Sequence, residues 1–367
     1  MNRLQVGAFA GMLISTLLLG GCDLKEIYTF STVLAIGIDQ GHDGKIQLTM
    51  EISNFMKSKS NEQKTMIISG TGSSIVDAVK NIQLKSPLEL YFAHTALILL
   101  GASYARHNID ELTDYLQRNL YFRPTMVITV CKDSAKEILG AKISTETINA
   151  FGIREMIEEA SQRSLTTESE MIRGLKDLHH YSQTFRLAAL KLDPDAQPVV
   201  VGEGLFQRGR LVRWISINQV PFQLLLTERH IGKQSISVPY TDHQQLVVRI
   251  LWATVTTQAS LQHGKLFVVY KVKGDSEIAE SFCHMSFPNK ELVIIDRTLN
   301  NTLRIQTQQM VLSLQAAHID GIDLADVLFR EHHRLYQSLS KNWDDHFANA
   351  DISYQFAIRL IRTGLLT

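Results

Sequence analysis

The sequence predicts a mixed α/β to α+β protein, with sheets covered by helices in two to three domains. Three observations carry this. Short apolar strands alternate with amphipathic helices through the first half. Long β-rich runs dominate the second half and are followed by two helices and one closing strand. The chain has 367 residues, more than a single hydrophobic core usually organises.

The first segment is not read as part of that fold. Arg3 and the amino terminus give a cationic start, and Val6 to Leu19 carries no charge. Such a run falls short of the roughly 20 residues that cross a hydrocarbon core, so it reads as an export signal over residues 1–21. It ends in Leu19-Gly20-Gly21-Cys22, which resembles the lipobox of bacterial lipoproteins. There the cysteine thiol receives a diacylglyceryl group before the leader is cut away. Small residues ahead of the cysteine suit a peptidase that binds an extended backbone. Cys22 is therefore the expected lipidation site and the first mature residue, and two acyl chains hold a protein stably at a bilayer.

Composition narrows the function further. Lys plus Arg and Asp plus Glu number 37 each, so no net field favours nucleic acid. Of three cysteines, Cys131 and Cys283 are far apart in sequence. A disulfide is open to them outside the cytoplasm, but two separate buried thiols are favoured.

Strands come first. "TVLAIGID" is apolar and β-branched, and Ile46, Leu48, Met50 and Ile52 alternate with polar neighbours. Asp43-Gly44 stands between the two as a hairpin turn. A calcium loop starting at Asp39 is rejected because Gly41 and Met50 occupy positions that need oxygen ligands. Met66 to Ile68 reads as a strand, and Gly70 and Gly72 as a turn. Ser74, with Asp77 three residues on, caps a helix carrying Ile75, Val79 and Ile82. A phosphate loop is rejected there, since neither a third glycine nor Gly-Lys-Ser/Thr follows.

The same rhythm continues with a strand from His94 to Leu100 and a helix on Ile109, Leu112, Leu116 and Leu120. A strand from Met126 to Val130 and a short helix opened by Ser134 follow. Residues from Ser144 to about Leu187 read as mostly helical, with Ile153, Met156, Ile157 and Ala160 on one face. Pro194 and Pro198 then bracket a polar stretch, because proline fixes its own φ and pushes its predecessor out of helix. They set a boundary between residues 22–196, with a break into subdomains near 135–145, and residues 197–367.

The second half opens with strands at Val199 to Phe206 and Leu211 to Ile217, then "ISVPY", "QQLVVRILWATVTTQ" and "KLFVVYKVKG". A helix is expected from Thr302 to Ala317, and a second from Leu324 through Leu339 toward Trp343. Ile352, Tyr354, Phe356, Ile358 and Leu360 alternate as a half-buried strand.

No catalytic signature emerges. His94 sits at the lip of a buried strand and reads as a hydrogen-bonded structural histidine. His179-His180 and Glu331-His332-His333 are adjacent residues that point about 100° apart on a helix, so neither pair grips one metal unaided. His-Glu-x-x-His, Gly-x-Ser-x-Gly, Cys-x-x-Cys and Walker patterns are all missing from the sequence. No cofactor or metal is expected, and the chain reads as one that binds or scaffolds.

Against that background the chain resembles the Ger(x)C family, the lipoprotein C subunits of the nutrient germinant receptors of spore-forming bacteria. The likeness runs along essentially the whole chain. It is carried by Cys22, Asp23, Glu26-Ile27 and Gly37-Ile38-Asp39, then by Asp77-Ala78 and Ala93-His94. At the far end it is carried by Tyr336, Trp343, Phe347, the strand Ile352 to Leu360, and Gly364. The chain departs from the family where Asp23 replaces a tryptophan after the cysteine, and where His332-His333 stand in place of a His-Pro pair. The aromatic residues of the tail read more simply as core than as a binding site.

The resemblance implies a three-domain protein of unusual fold without enzymatic activity. It implies a lipid anchor on the outer face of the inner spore membrane, and assembly with two integral membrane subunits, A and B. A rival class, a solute-binding lipoprotein of a membrane transporter, requires two similar doubly wound lobes with a ligand cleft at the hinge. A thermal-shift screen with nutrients separates the two.

Overall fold

The structure is a computed structural model. It describes residues 30–53, 65–119, 121–141, 143, 148–172, 181–228, 230–241, 244–281 and 287–362. Mixed sheets with helices in a multidomain α+β arrangement are what the sequence predicts.

A nine-stranded sheet forms the first half. In chain order its strands are β1 (Phe30–Gln40), β2 (Ile46–Ser53), β3 (Thr65–Gly72), β4 (Glu89–Tyr91), β5 (Leu97–Gly101), β6 (Val127–Cys131), β7 (Thr184–Leu192), β8 (Pro198–Gln207) and β9 (Arg210–Ser216). The spatial order is β3-β2-β1-β5-β6-β7-β8-β9, with β4 also paired to β1. β1, β5, β6 and β7 run parallel, and hairpins close both ends of the sheet. The expected β1–β2 hairpin is present, with Asp43 and Gly44 at positive φ in its turn, the backbone that Asp-Gly favours.

Both faces of this sheet are covered, as parallel strands require. One face packs on α1 (Ile75–Gln83) and α3 (Asp110–Arg118), burying Ile38, Leu48, Ile82, Leu112 and Leu116. A single turn, α2 (Ala102–Ala105), joins the same core. The other face packs on α4 (Ala135–Gly140) and α5 (Asn149–Gln162), burying Leu97, Leu139, Ile153 and Ile157. Ser74 Oγ accepts from the Asp77 amide, and Ser134 with Glu137 forms a reciprocal capping box.

Gly70 and Gly72 do not form the expected turn. Both lie inside β3, because α1 packs so closely that a β-carbon on Gly72 would overlap the Ala78 amide nitrogen. The helical reading of residues 144–187 holds over α5 and fails at its far end, where Thr184–Leu192 is a strand; residues 144–147 and 173–180 lie outside the described residues. Tertiary pairing with β6 and β8 decides there over local propensity.

Pro194 lies in the turn of the β7–β8 hairpin and Pro198 opens β8. The sheet thus continues across residue 197, and the helices on either side of residues 135–145 pack on one face of it.

The second half adds α6 (Val220–Thr227), which the sequence reading passed over. A five-stranded sheet follows: β10 (His230–Ile231), β11 (Gln234–Thr241), β12 (Gln244–Gln262), β13 (Lys265–Ser281) and β14 (Asp351–Arg362). β12 pairs with β10, β11 and β13, all antiparallel, while β14 closes the edge parallel to β13.

Helix α7 (Asn289–Gln315) starts about three turns earlier than expected. The expected second helix is broken into α8 (Leu324–Glu331) and α9 (His333–Leu339), and a further short helix, α10 (Trp343–Ala348), follows where it was expected to end. The break falls at His332, whose φ of −138° is not helical. In β14, Tyr354 and Ile358 are buried while Ile352, Phe356 and Leu360 are half-buried, so the alternation holds. One core joins these elements and reaches Leu205 and Ile215 of the first sheet.

Candidate functional site

The histidines do not converge on a centre. His94 is exposed, with Nδ1 3.4 Å from Arg123 Nη2 and its ring 5.9 Å from that of Tyr91. Glu331 ends α8 while His333 begins α9, so these neighbours are split between two helices. The His333 ring packs on Phe329 at 4.7 Å. Among the described residues, no group of three His, Cys, Asp or Glu could hold a metal ion. His179, His180, Cys22 and Cys283 lie outside the described residues. Cys131 is a buried free thiol, pushed well up by burial and by the nearby Asp39 and Asp133 carboxylates.

What the fold does gather is a set of buried carboxylates where the two sheets meet. Asp320, Asp323 and Asp326 follow at intervals of three within the otherwise apolar stretch from Ile319 to Leu328. Asp320 accepts from the Leu324 amide at 3.0 Å, the Ala325 amide at 2.8 Å and Trp343 Nε1 at 3.0 Å. It thereby caps α8 and ties α10 to it. Burial pushes its carboxyl up to about 7 against the pull of the Ala325 and Leu324 amides.

The first sheet is joined to the same stretch. Asp326 accepts from the Tyr181 amide at 3.0 Å and Ser182 Oγ at 3.1 Å. Asp323 pairs with Arg186 of β7 at 2.7 Å, both side chains largely withdrawn from water. Thr184 Oγ1 donates to the Asp320 carbonyl at 2.7 Å, and Gln223 of α6 donates to that of Gly321. The Asp-x-x-Asp-x-x-Asp spacing in an apolar run was the signal available for this joint.

Glu203, on β8, is fully buried, and among the described residues neither oxygen has a partner in good hydrogen-bond geometry. Burial raises its carboxyl to about 7; the Arg186 charge, and after it the Thr167 amide, oppose the shift without cancelling it. A cleft of about 450 Å³ opens beside the joint, between Tyr181, Arg208, Lys341 and Trp343, and is crossed by the Arg208–Asp344 ion pair at 2.7 Å. These groups face one another. Their chemistry is that of a structural joint.

Two similar carboxylate joints sit in the first sheet. Asp39 accepts from the Ala135 and Lys136 amides at 2.9 and 3.0 Å. Glu51 accepts from the Asn149 and Ala150 amides at 3.1 and 2.7 Å. Each sets a helix amino terminus onto a strand.

Comparison with known proteins decides the family. The family model described as "Spore germination protein N-terminal domain" matches residues 23–192, and that described as "Spore germination B3/ GerAC like, C-terminal" matches residues 202–364. The chain belongs to the Ger(x)C family. Spore germination protein KC of Bacillus subtilis (strain 168) is 22% identical over 96% of this chain and 95% of its own length. The putative spore germination protein YfkR of the same organism is 21% identical over 97% and 96%.

The Ger(x)C fold is also seen in a solved structure. The crystal structure of the GerBC protein superposes with a TM-score of 0.59 at 19% identity, covering 89% of this chain and 96% of that one. Within this family frame, several of the described residues that carried the resemblance are structural. Asp39 caps a helix, Asp77 accepts from the Ser73 amide just ahead of α1, Phe347 and Trp343 are buried, and Tyr336 packs against Trp343 at 5.9 Å.

Proposed function

We propose that this chain is the lipid-anchored, non-enzymatic C subunit of a spore nutrient germinant receptor. Cys22, bearing a diacylglyceryl group, tethers it to the outer face of the inner spore membrane. The folded domains present an assembly surface to the integral A and B subunits. Membership of the Ger(x)C family over nearly the whole chain is the observation that carries this reading. The leader with its Leu19-Gly20-Gly21-Cys22 ending supports the anchor. Among the described residues no helix is long and apolar enough to cross a membrane, so a tether at Cys22 accounts for attachment.

The joint between the sheets supports a scaffold, since its polar groups are turned inward on one another. The solute-binding alternative loses ground for a specific reason. One sheet is nine-stranded and mixed and the other five-stranded and largely antiparallel, so the halves are not two similar doubly wound lobes.

The test uses spores carrying Cys22→Ala. Loss of the protein from the membrane fraction, with a slowed response to nutrient, is expected. Wild-type kinetics with the variant still sedimenting with membrane would remove the proposal.

A further inference from the structure

The register of the first sheet places one end of it beside the incoming chain. β1 starts at Phe30, only eight residues after Cys22, and eight residues span at most about 28 Å. Thr32 of β1 pairs with Ser53, the end of β2, which pairs with Thr65, the start of β3. Phe30 pairs with Glu89, and Ala35 with Leu97, which pairs with Val127. The starts of β1, β3, β4, β5 and β6 therefore share one end.

Large apolar side chains are exposed there. Leu84, which follows α1, is 77% exposed; Tyr121, in the loop before β6, 65%; Met66, at the start of β3, 54%. Ile67 and Ile172 are exposed at the same end, where the Ile172 amide donates to the Pro124 carbonyl at 3.0 Å. Half-buried Phe30 and Tyr91 pack ring to ring at 5.2 Å between them. Lys85 and Arg123 carry positive charge beside these residues, with Glu89 as an acidic neighbour.

The opposite end differs. The β1–β2 turn exposes His42, Asp43, Gly44 and Lys45, and Ser73 and Ser74 lead into α1; exposed Val76, at the start of α1, lines a groove of about 630 Å³ that runs along α3 to Tyr121.

We infer that the end carrying Leu84, Tyr121, Met66 and Ile67 rests on the lipid bilayer and dips its apolar side chains into the headgroup region. The inference rests on the proposed anchor at Cys22. A short tether holds this end within reach of the membrane at high effective concentration, so even scattered apolar and aromatic contacts are engaged. Tyrosines with apolar bodies and polar tips, and lysine and arginine with long stems, suit that interface. The β1–β2 turn then points away from the bilayer.

The test uses the full chain, purified from a host that lipidates it and reconstituted in phosphatidylcholine–phosphatidylglycerol vesicles whose acyl chains carry bromine. A fluorescent amino acid is placed in turn at Leu84, Tyr121 and Lys45. Interfacial side chains sink about 5–10 Å, so quenching at Leu84 and Tyr121 is expected to exceed that at Lys45 by about threefold or more. Equal quenching at the two ends, none at either, or stronger quenching at Lys45 overturns the inference.

Intact mass of the same preparation reads the anchor separately. If Cys22 proves unmodified, the anchor proposal fails. The orientation is then read by coupling Cys22 to a maleimide phospholipid and repeating the measurement, with the same outcomes deciding.

Discussion

The Asn300 side chain closes both backbone groups of Ile358: Nδ2 donates to the Ile358 carbonyl at 2.8 Å, and Oδ1 accepts from its amide at 2.9 Å. Asn300 belongs to α7 and Ile358 to β14, the edge strand of the second sheet. Asp296, one turn earlier on α7, accepts from the Leu360 amide at 2.7 Å. An open strand edge is a template for pairing with other chains, and here a helix covers it with side chains that mimic a neighbouring strand.

Asn300→Ala should accordingly destabilise the protein more than an ordinary surface change. Ile358 is buried, so its amide and carbonyl lose partners without gaining water. Such a loss costs about 1–3 kcal/mol. Urea unfolding should show a fall in that range with an unchanged m-value. The double variant with Asp296→Ala should add a concentration-dependent increase in sedimentation coefficient. A midpoint within error of wild type would remove the edge-capping role.

Glu203 makes stability depend on pH in a direction opposite to most carboxylates. Its folded value is raised to about 7 from an ordinary value of 4.5. Between those values the folded chain holds a proton that the unfolded chain has released. Stability from this group is therefore fully present below about pH 4.5 and is lost as pH rises toward 7. The full shift corresponds to about 3 kcal/mol at one pKa unit per 1.36 kcal/mol. Glu203→Gln cannot ionise, so it should be more stable than wild type at pH 8 by about 1–3 kcal/mol and closely matched at pH 4.5. Asp320, raised likewise, leaves a residual slope in the variant. Equal stability of the two proteins at pH 8 would contradict the assignment.

Much of the fold was readable because burial follows periodicity. The alternation in β14, the Asp43-Gly44 hairpin and the Ser74 and Ser134 caps are local signals, and each is realised in the structure. Where the signal was tertiary, it was not readable. Gly70 and Gly72 looked like a turn because nothing local says that α1 would press onto β3. Thr184–Leu192 becomes a strand because it has neighbours on both sides. Helix α6, Val220–Thr227, buries Val220 through Leu226. A helix buried all round has no amphipathic stripe to betray it. The joint was hidden for another reason: Asp320, Asp323 and Asp326 look like surface charges until Trp343, Arg186 and Ser182 arrive from other elements.

Asp320→Ala should be the most damaging single change at that joint. It would leave the Leu324 and Ala325 amides and the Trp343 indole unpaired in a buried site. Each buried donor left unpaired costs about 1–3 kcal/mol, so the loss should exceed that of an ordinary single hydrogen bond. Tryptophan fluorescence should shift as the indole loses its partner, and the urea midpoint should fall. Asp345→Ala serves as a control, because that residue is exposed and its carboxylate meets His318 at 3.2 Å in an exposed pair; its effect should stay within about 0.5 kcal/mol. Equal effects of the two substitutions would deny Asp320 its role.

The Gly37-Ile38-Asp39 segment yields the last prediction. Asp39 receives two amides of α4, and a β-carbon on Gly101 of neighbouring β5 would overlap Asp39 Oδ1. Gly101→Ala should therefore act at a distance, by pushing the Asp39 carboxylate off the helix terminus. Loss of an amino-terminal cap costs about 0.5–2 kcal/mol, and steric displacement adds to it. Hydrogen exchange should quicken at the Ala135 and Lys136 amides in both Gly101→Ala and Asp39→Ala. Since both substitutions remove one interaction, their effects should be less than additive in the double variant. Full additivity, or unchanged exchange at those amides, would show that Gly101 is required for some reason other than room for Asp39.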